Sequence, residues 1–359
     1  MTATKGCLLV GSVCLSDAET VFRECSEGMP NRLKRIPDGE TGERSMFTVW
    51  QIAFFQAVPQ MITEFINNSA MVMQDYTPEQ VQEGIAKLRE AAPSTGYDTA
   101  AIASYEKFKA LREEGVIPKA VRFQVCLPAV ANVILPFVQK DFMAAAEPVY
   151  EEALFRAMRN IQDAIPHNDL AVQIDLAADT ALWEDIEMYR PWFYNDDKDV
   201  DKRKEYIINY IVRMISQVDQ EVEVGIHNCY GDMEHRHWKE PESLAKVTER
   251  GLAIFEKTPH PIGFFHLPVP QSAMERLDEY YEPLKQLLPK FKEQDTDLYL
   301  GLVRENDLEG LQERLEAAKR TLGDNGPFGI GTECGWGRTL ADDIPSIMQI
   351  STQLSEPVA

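Results

Sequence analysis

Residues 222–227 read Val-Glu-Val-Gly-Ile-His, residues 242–257 read Glu-Ser-Leu-Ala-Lys-Val-Thr-Glu-Arg-Gly-Leu-Ala-Ile-Phe-Glu-Lys, and residues 262–267 read Ile-Gly-Phe-Phe-His-Leu. The outer two are short runs rich in β-branched and aromatic residues. The middle one repeats Leu244, Val247 and Ile254 at helical spacing, with charges between them. A strand, a helix and a strand in succession imply a right-handed crossover between parallel strands. The same alternation continues outward in both directions. Further strands are expected at Cys7–Val13, Leu33–Ile36, Ala120–Cys126, Leu170–Leu176, Asp297–Val303 and Phe328–Thr332, eight in all. Amphipathic stretches lie between them at Ser16–Ser26, Pro78–Ala91, Tyr97–Glu114, Ala144–Ala164, Lys198–Val218, Gln271–Leu288 and Asp307–Leu322. Eight strand–helix units are the number that closes a barrel. The expected fold is therefore an α/β (βα)8 TIM barrel, one domain over residues 1–359. An open doubly wound sheet is the structural alternative, but neither Gly-x-Gly-x-x-Gly after the first strand nor a phosphate-loop lysine motif is present. The stretch Gly39–Pro118 exceeds one crossover, so a helical elaboration is expected between strands two and three, and Trp192–Asp201 reads as a polar, acidic insertion.

Lys and Arg number 36 against 58 Asp and Glu, a net charge of −22. Such an excess repels a phosphate backbone or an anionic bilayer, which argues against nucleic acid and membrane as partners and for a small-molecule substrate. No apolar run approaches the ~20 residues of a spanning helix. Cys7–Leu15 is the one apolar stretch near the start, and it reads as a buried strand better than as a signal peptide, because no small-residue cleavage pattern follows. Asn67-Asn68-Ser69 fits a glycosylation sequon, which carries little meaning without secretion. Six cysteines without tight spacing in 359 residues are too few for a disulfide scaffold. A cytoplasmic protein with reduced thiols is expected.

In such barrels the reactive groups stand at the C-terminal strand ends and in the loops that follow. The unusual residues of this chain fall there. Strand five ends in His227-Asn228-Cys229-Tyr230, strand six near His266, and strand eight in Glu333-Cys334-Gly335. Imidazole and thiolate together suit Zn²⁺, and His227, Cys229, His266 and Cys334 would make a tetrahedral set. Each cysteine alone reads better as a small buried hydrophobe, and His266 as a core histidine; the coincidence of all four at strand ends favours metal. Asp175 ends the apolar run Ala171-Val172-Gln173-Ile174, where a carboxylate is expensive unless it faces the mouth. Asp38, Glu40, Glu43 and Arg44 crowd one turn with two glycines, either as a salt-bridged loop or as a site, and Arg304-Glu305 follows strand seven. His235-Arg236-His237 reads as a solvated loop or as part of a lid, and Cys7, Cys14, Cys25 and Cys126 as buried thiols.

Gly11-Ser12, Gly39-Glu40, Ile174-Asp175, His227-x-Cys229-Tyr230 and Cys334-Gly335, in that order along most of the chain, resemble the C-terminal catalytic barrel of cobalamin-independent methionine synthase. The likeness is nearest to stand-alone, single-barrel relatives in the superfamily shared with uroporphyrinogen decarboxylase. The resemblance implies zinc on His227, Cys229 and Cys334, where the synthase activates the homocysteine thiolate, with His266 at the position of its glutamate ligand. It implies that Ser12, Glu40 and Asp175 hold an amino acid substrate. The chain departs from that family in having one barrel's worth of strands, in His266, and in Trp336-Gly337-Arg338 after the last cysteine. Trp336 and Arg338 suit a planar or anionic substrate, and Tyr230 and Arg44 join the expected substrate contacts. The expected activity is zinc-dependent activation of a thiol for methyl or alkyl transfer, with Asp175, Glu40 and Glu305 as the catalytic carboxylates. A zinc lyase, hydrolase or decarboxylase using Asp175 or Glu305 as acid–base is the alternative, and a non-catalytic barrel with a structural zinc is a third.

Overall fold

The computed structural model describes residues 3–66, 70–186, 191–193, 199–231 and 236–358. The sequon at Asn67-Asn68-Ser69, His235 and residues 194–198 of the 192–201 insertion lie outside them. The strands are β1 (Thr4–Leu8), β2 (Arg35–Pro37), β3 (Glu64–Ile66), β4 (Ala70–Val72), β5 (Arg122–Pro128), β6 (Leu170–Leu176), β7 (Glu223–Asn228), β8 (Ile262–Pro268), β9 (Asp297–Val303) and β10 (Phe328–Thr332). Eight of them form one parallel sheet in the order β1-β10-β9-β8-β7-β6-β5-β2. The seam between β1 and β2 is drawn together by a single bridge, Cys7 to Leu33, and by Val13 N–H donating to the Gly39 carbonyl at 2.8 Å. The result is a nearly closed (βα)8 barrel, as the alternation predicts.

Burial on both faces explains why the strands read as near-continuous apolar runs. Along β6, Val172, Ile174 and Leu176 join the large core shared with the outer helices, while Ala171, Gln173 and Asp175 face the lumen. The lumen is layered. At its base Arg35 lies 4.2 Å from the ring centre of Phe264, pairs with Glu223 and Asp297, and donates to the Tyr299 hydroxyl at 3.1 Å. Above it, Gln124 donates to Gln173 at 3.0 Å. Asp175, His227 and His266 occupy the top level, aligned by the pairing of β6 with β7 and of β7 with β8.

Strand one is shorter at its far end than Cys7–Val13 predicts. Residues 9–13 stay buried, but the Leu9 and Val10 carbonyls accept from the Gln124 and Gln173 side chains inside the barrel, not from a neighbouring strand. The elaboration after β2 holds the helices Pro78–Ala91 and Tyr97–Glu113. It also holds three short 3₁₀ turns and the β3–β4 hairpin, which the helical reading did not include. The expected helix Gln271–Leu288 is broken into short pieces, consistent with Pro283 and Pro289, which lack the N–H a helix interior needs. Among the described residues no helix is long and apolar enough to cross a membrane.

Candidate metal centre

His227 closes the inward-facing column of β7, and Cys229 leaves that strand with its N–H still donating to the Leu176 carbonyl at 3.1 Å. Cys334 follows β10 by two residues. Barrel curvature brings these together: His227, Cys229 and Cys334 each offer a donor atom within 4.8 Å of the others. The two sulfurs are 3.9 Å apart, and all six cysteines of the chain are free thiols. Two Zn–S bonds of about 2.3 Å meeting at a tetrahedral angle would set sulfurs roughly 3.8 Å apart. Donor types and sulfur spacing therefore both fit a zinc ion, with three protein donors among the described residues.

His266, expected as a fourth ligand, stands beside this group and is not among its three clustered donors. It is fully buried; its Nδ1 lies 2.9 Å from Nδ1 of His227, and its Nε2 lies 3.1 Å from the Thr332 carbonyl oxygen. Both of its ring nitrogens are thus engaged within the protein. Burial, with the neighbouring His266 and Arg250 adding to it, pushes His227 well below the usual imidazole range, and burial pushes His266 down to about 4, so both rings are neutral near pH 7. Between them, Asn228 donates from Nδ2 to the His266 carbonyl at 2.9 Å and accepts from buried Arg250 at 2.7 Å.

Two carboxylates share the mouth with the sulfurs. The Asp175 carboxylate accepts from Gln173 at 2.8 Å, and burial, with Glu40 nearby, raises it well above the usual range. Burial also raises Glu40 to about 8; Arg44 opposes the rise, and Asp38 and Cys334 add to it. Glu40 has a left-handed backbone, φ +47°, uncommon outside glycine and asparagine, and its N–H is held by Asp38 at 2.9 Å. Gly39 precedes it at φ +78°, and a Cβ there would meet Val21 at 2.6 Å. Arg44 donates to Asp38 at 2.6 Å and, with Glu40, Tyr97 and Cys126, lines one recess. The crowded turn is thus both a salt-bridged loop and part of the mouth.

The remaining expected contacts separate. Arg338 donates to the Cys334 sulfur at 3.7 Å, at the mouth. Ser12 meets the last loop: its hydroxyl accepts from Gly337 N–H at 3.3 Å, and its carbonyl from Trp336 N–H at 2.6 Å. Trp336 is turned into the core, with its indole N–H bound to Thr332 at 2.8 Å, which removes it from the open mouth as a stacking surface. Tyr230 is likewise buried and donates to Glu184 at 3.1 Å. Glu305 makes no side-chain hydrogen bond or ion pair among the described residues; its neighbour Arg304 pairs with Glu333 at 2.8 Å. Glu333 also takes Nε2 of His237 at 3.0 Å, which ties the loop after β7 to the loop carrying Cys334. Sequence patterning gave no role to Glu333 or Tyr97. Tyr97 comes from the elaboration, where no strand end marks it.

No protein-family model and no curated protein matches the chain. Among solved structures it is similar to a B12-independent methionine synthase from Shewanella sp. W3-18-1 in complex with selenomethionine, at 11% identity and TM-score 0.49, over 97% of this chain and 94% of that one. It is also similar to a Listeria monocytogenes protein assigned as a vitamin-B12-independent methionine synthase, at 14% identity and TM-score 0.48, over 99% of both chains. A GH5-4 endoglucanase from Clostridium acetobutylicum is similar at 11% identity and TM-score 0.35, over 70% of this chain and 78% of that one.

Proposed function

We propose that the chain is a zinc-dependent enzyme that activates a small thiol for methyl or alkyl transfer. The observation that carries this reading is the His227–Cys229–Cys334 group at the C-terminal end of the barrel, with sulfurs 3.9 Å apart and two elevated carboxylates beside it. His227, Cys229 and Cys334 would hold the metal, and zinc bound there supplies Lewis acidity that keeps a substrate thiol as thiolate at neutral pH. The rest of the chemistry belongs to the chain. Asp175 and Glu40, mutually destabilised when both are ionised, share negative charge at the mouth; together they suit a substrate ammonium group and can accept the proton a thiol gives up. Arg44 and Asp38 fix Glu40 in place, and the elaboration carrying Tyr97 walls one side of the recess. The sequence resemblance to the methionine synthase barrel supports the same assignment of metal and substrate positions.

The rise of Glu40 to about 8 favours a second reading, in which the same centre serves lyase, hydrolase or decarboxylase chemistry with Glu40 or Asp175 as acid–base. The two readings part in one assay. An aminothiol such as homocysteine is mixed with a small alkyl electrophile, and loss of free thiol is followed with zinc-loaded and zinc-stripped protein. Thiol transfer predicts that the loaded protein is faster by on the order of tenfold or more. Equal rates with both forms contradict it.

A further inference from the structure

We infer that His266 is a positioning residue that fixes the tautomer of His227 through a relay ending at the Thr332 carbonyl, and is not itself a metal ligand. This rests on the metal reading above. A carbonyl oxygen only accepts, so the 3.1 Å contact requires the proton of a neutral His266 to sit on Nε2. Its Nδ1 is then a lone pair, and the 2.9 Å contact between the two Nδ1 atoms requires His227 to donate from its own Nδ1. The nitrogen of His227 left with a lone pair is Nε2, the one free to meet a metal beside the two sulfurs. Such outer partners commonly set the orientation and basicity of metal-binding histidines. Here a second imidazole and a backbone carbonyl do the work.

The surroundings are built for this relay. His266 has no exposed surface, and each of its ring nitrogens meets a protein atom. Gly301 of β9 makes room for the ring: a Cβ there would lie 3.1 Å from His266 Nε2 and 2.8 Å from Glu333 Cα. Asn228, clamped by Arg250, holds the His266 backbone from the other side. Thr332 precedes Cys334 by two residues, so the relay joins the β7 donors to the sulfur that follows β10.

The test counts imidazoles. X-ray absorption of the zinc-loaded protein is expected to show two sulfurs and one imidazole; two imidazoles overturn the inference. Zinc affinity, measured against a chromophoric chelator, supplies a second readout. His266→Leu removes the acceptor while filling the space, and zinc should bind on the order of ten- to a hundredfold more weakly. His266→Asn keeps an acceptor near the Nδ1 position, and its affinity should stay within a few-fold of the parent. A folded leucine variant with parental affinity, or an asparagine variant no better than leucine, overturns the relay. If the leucine variant does not fold, the imidazole count and the asparagine variant still decide. A parent protein that takes up no zinc overturns the metal reading, and this one with it.

Discussion

Cys229 and Cys334 would contribute the two soft donors of the proposed zinc centre. A serine at either position exchanges a thiolate for a hydroxyl that stays protonated at neutral pH and binds zinc poorly. Cys229→Ser and Cys334→Ser should each lower zinc from about one per chain to below roughly a tenth, read by elemental analysis of protein purified without chelator. Full zinc in both variants would remove them from the ligand set. Asp175 is a different case, because its carboxylate is buried and elevated, and among the described residues its side chain accepts a hydrogen bond from Gln173 alone. Asp175→Asn keeps the shape and removes a charge that burial makes expensive. The melting temperature should hold or rise slightly, zinc content should stay unchanged, and turnover should fall by on the order of a hundredfold. A variant that melts several degrees lower with full activity would make Asp175 a structural residue.

The loop after β7 and the loop after β10 are stitched by His237, which sits between Glu333 and Glu240 at 3.0 Å from each. Burial alone would lower its pKa, but the two carboxylates outweigh it and hold the imidazolium to about 9. A histidine raised from its ordinary value near 6.5 contributes stability that is fully present below that value and is lost as pH climbs through about 9. His237→Gln should therefore destabilise most near pH 6 and least near pH 10 in denaturant titrations, and a difference independent of pH would contradict the ion-pair account. The uneven legibility of these elements has physical causes. Leu170–Leu176, Asp297–Val303 and Phe328–Thr332 were readable to the residue because strands buried on both faces leave a near-continuous apolar run. The β3–β4 hairpin left no such mark, being two three-residue strands outside the barrel. The grouping of His227, Cys229 and Cys334 was legible because imidazole and thiol side chains together at strand ends are rare by chance. The position of His266 behind His227 was not, since strand position alone does not reveal which neighbour a buried imidazole faces. Trp336 misled for a related reason: an aromatic residue in a mouth loop suits stacking on substrate or packing in the core, and only the contact with Thr332 separates the two.

Across the whole molecule the barrel divides its labour by end. The base of the lumen is sealed by Arg35, buried between Glu223, Asp297 and the rings of Phe264 and Tyr299, where it satisfies charge and fills space but meets no mouth residue. The opposite end gathers the three candidate metal donors, the elevated Glu40 and Asp175, and the wall supplied by the elaboration. The net charge of −22 on the whole chain favours small substrates bearing a positive group over anionic polymers. The central claim is that this end holds zinc with a position reserved for a thiolate. X-ray absorption of the zinc-loaded protein before and after addition of homocysteine measures it most directly. The account predicts that the zinc-bound sulfurs increase from two to three as the thiol enters; a coordination sphere that keeps two sulfurs and an oxygen at saturating thiol would contradict it.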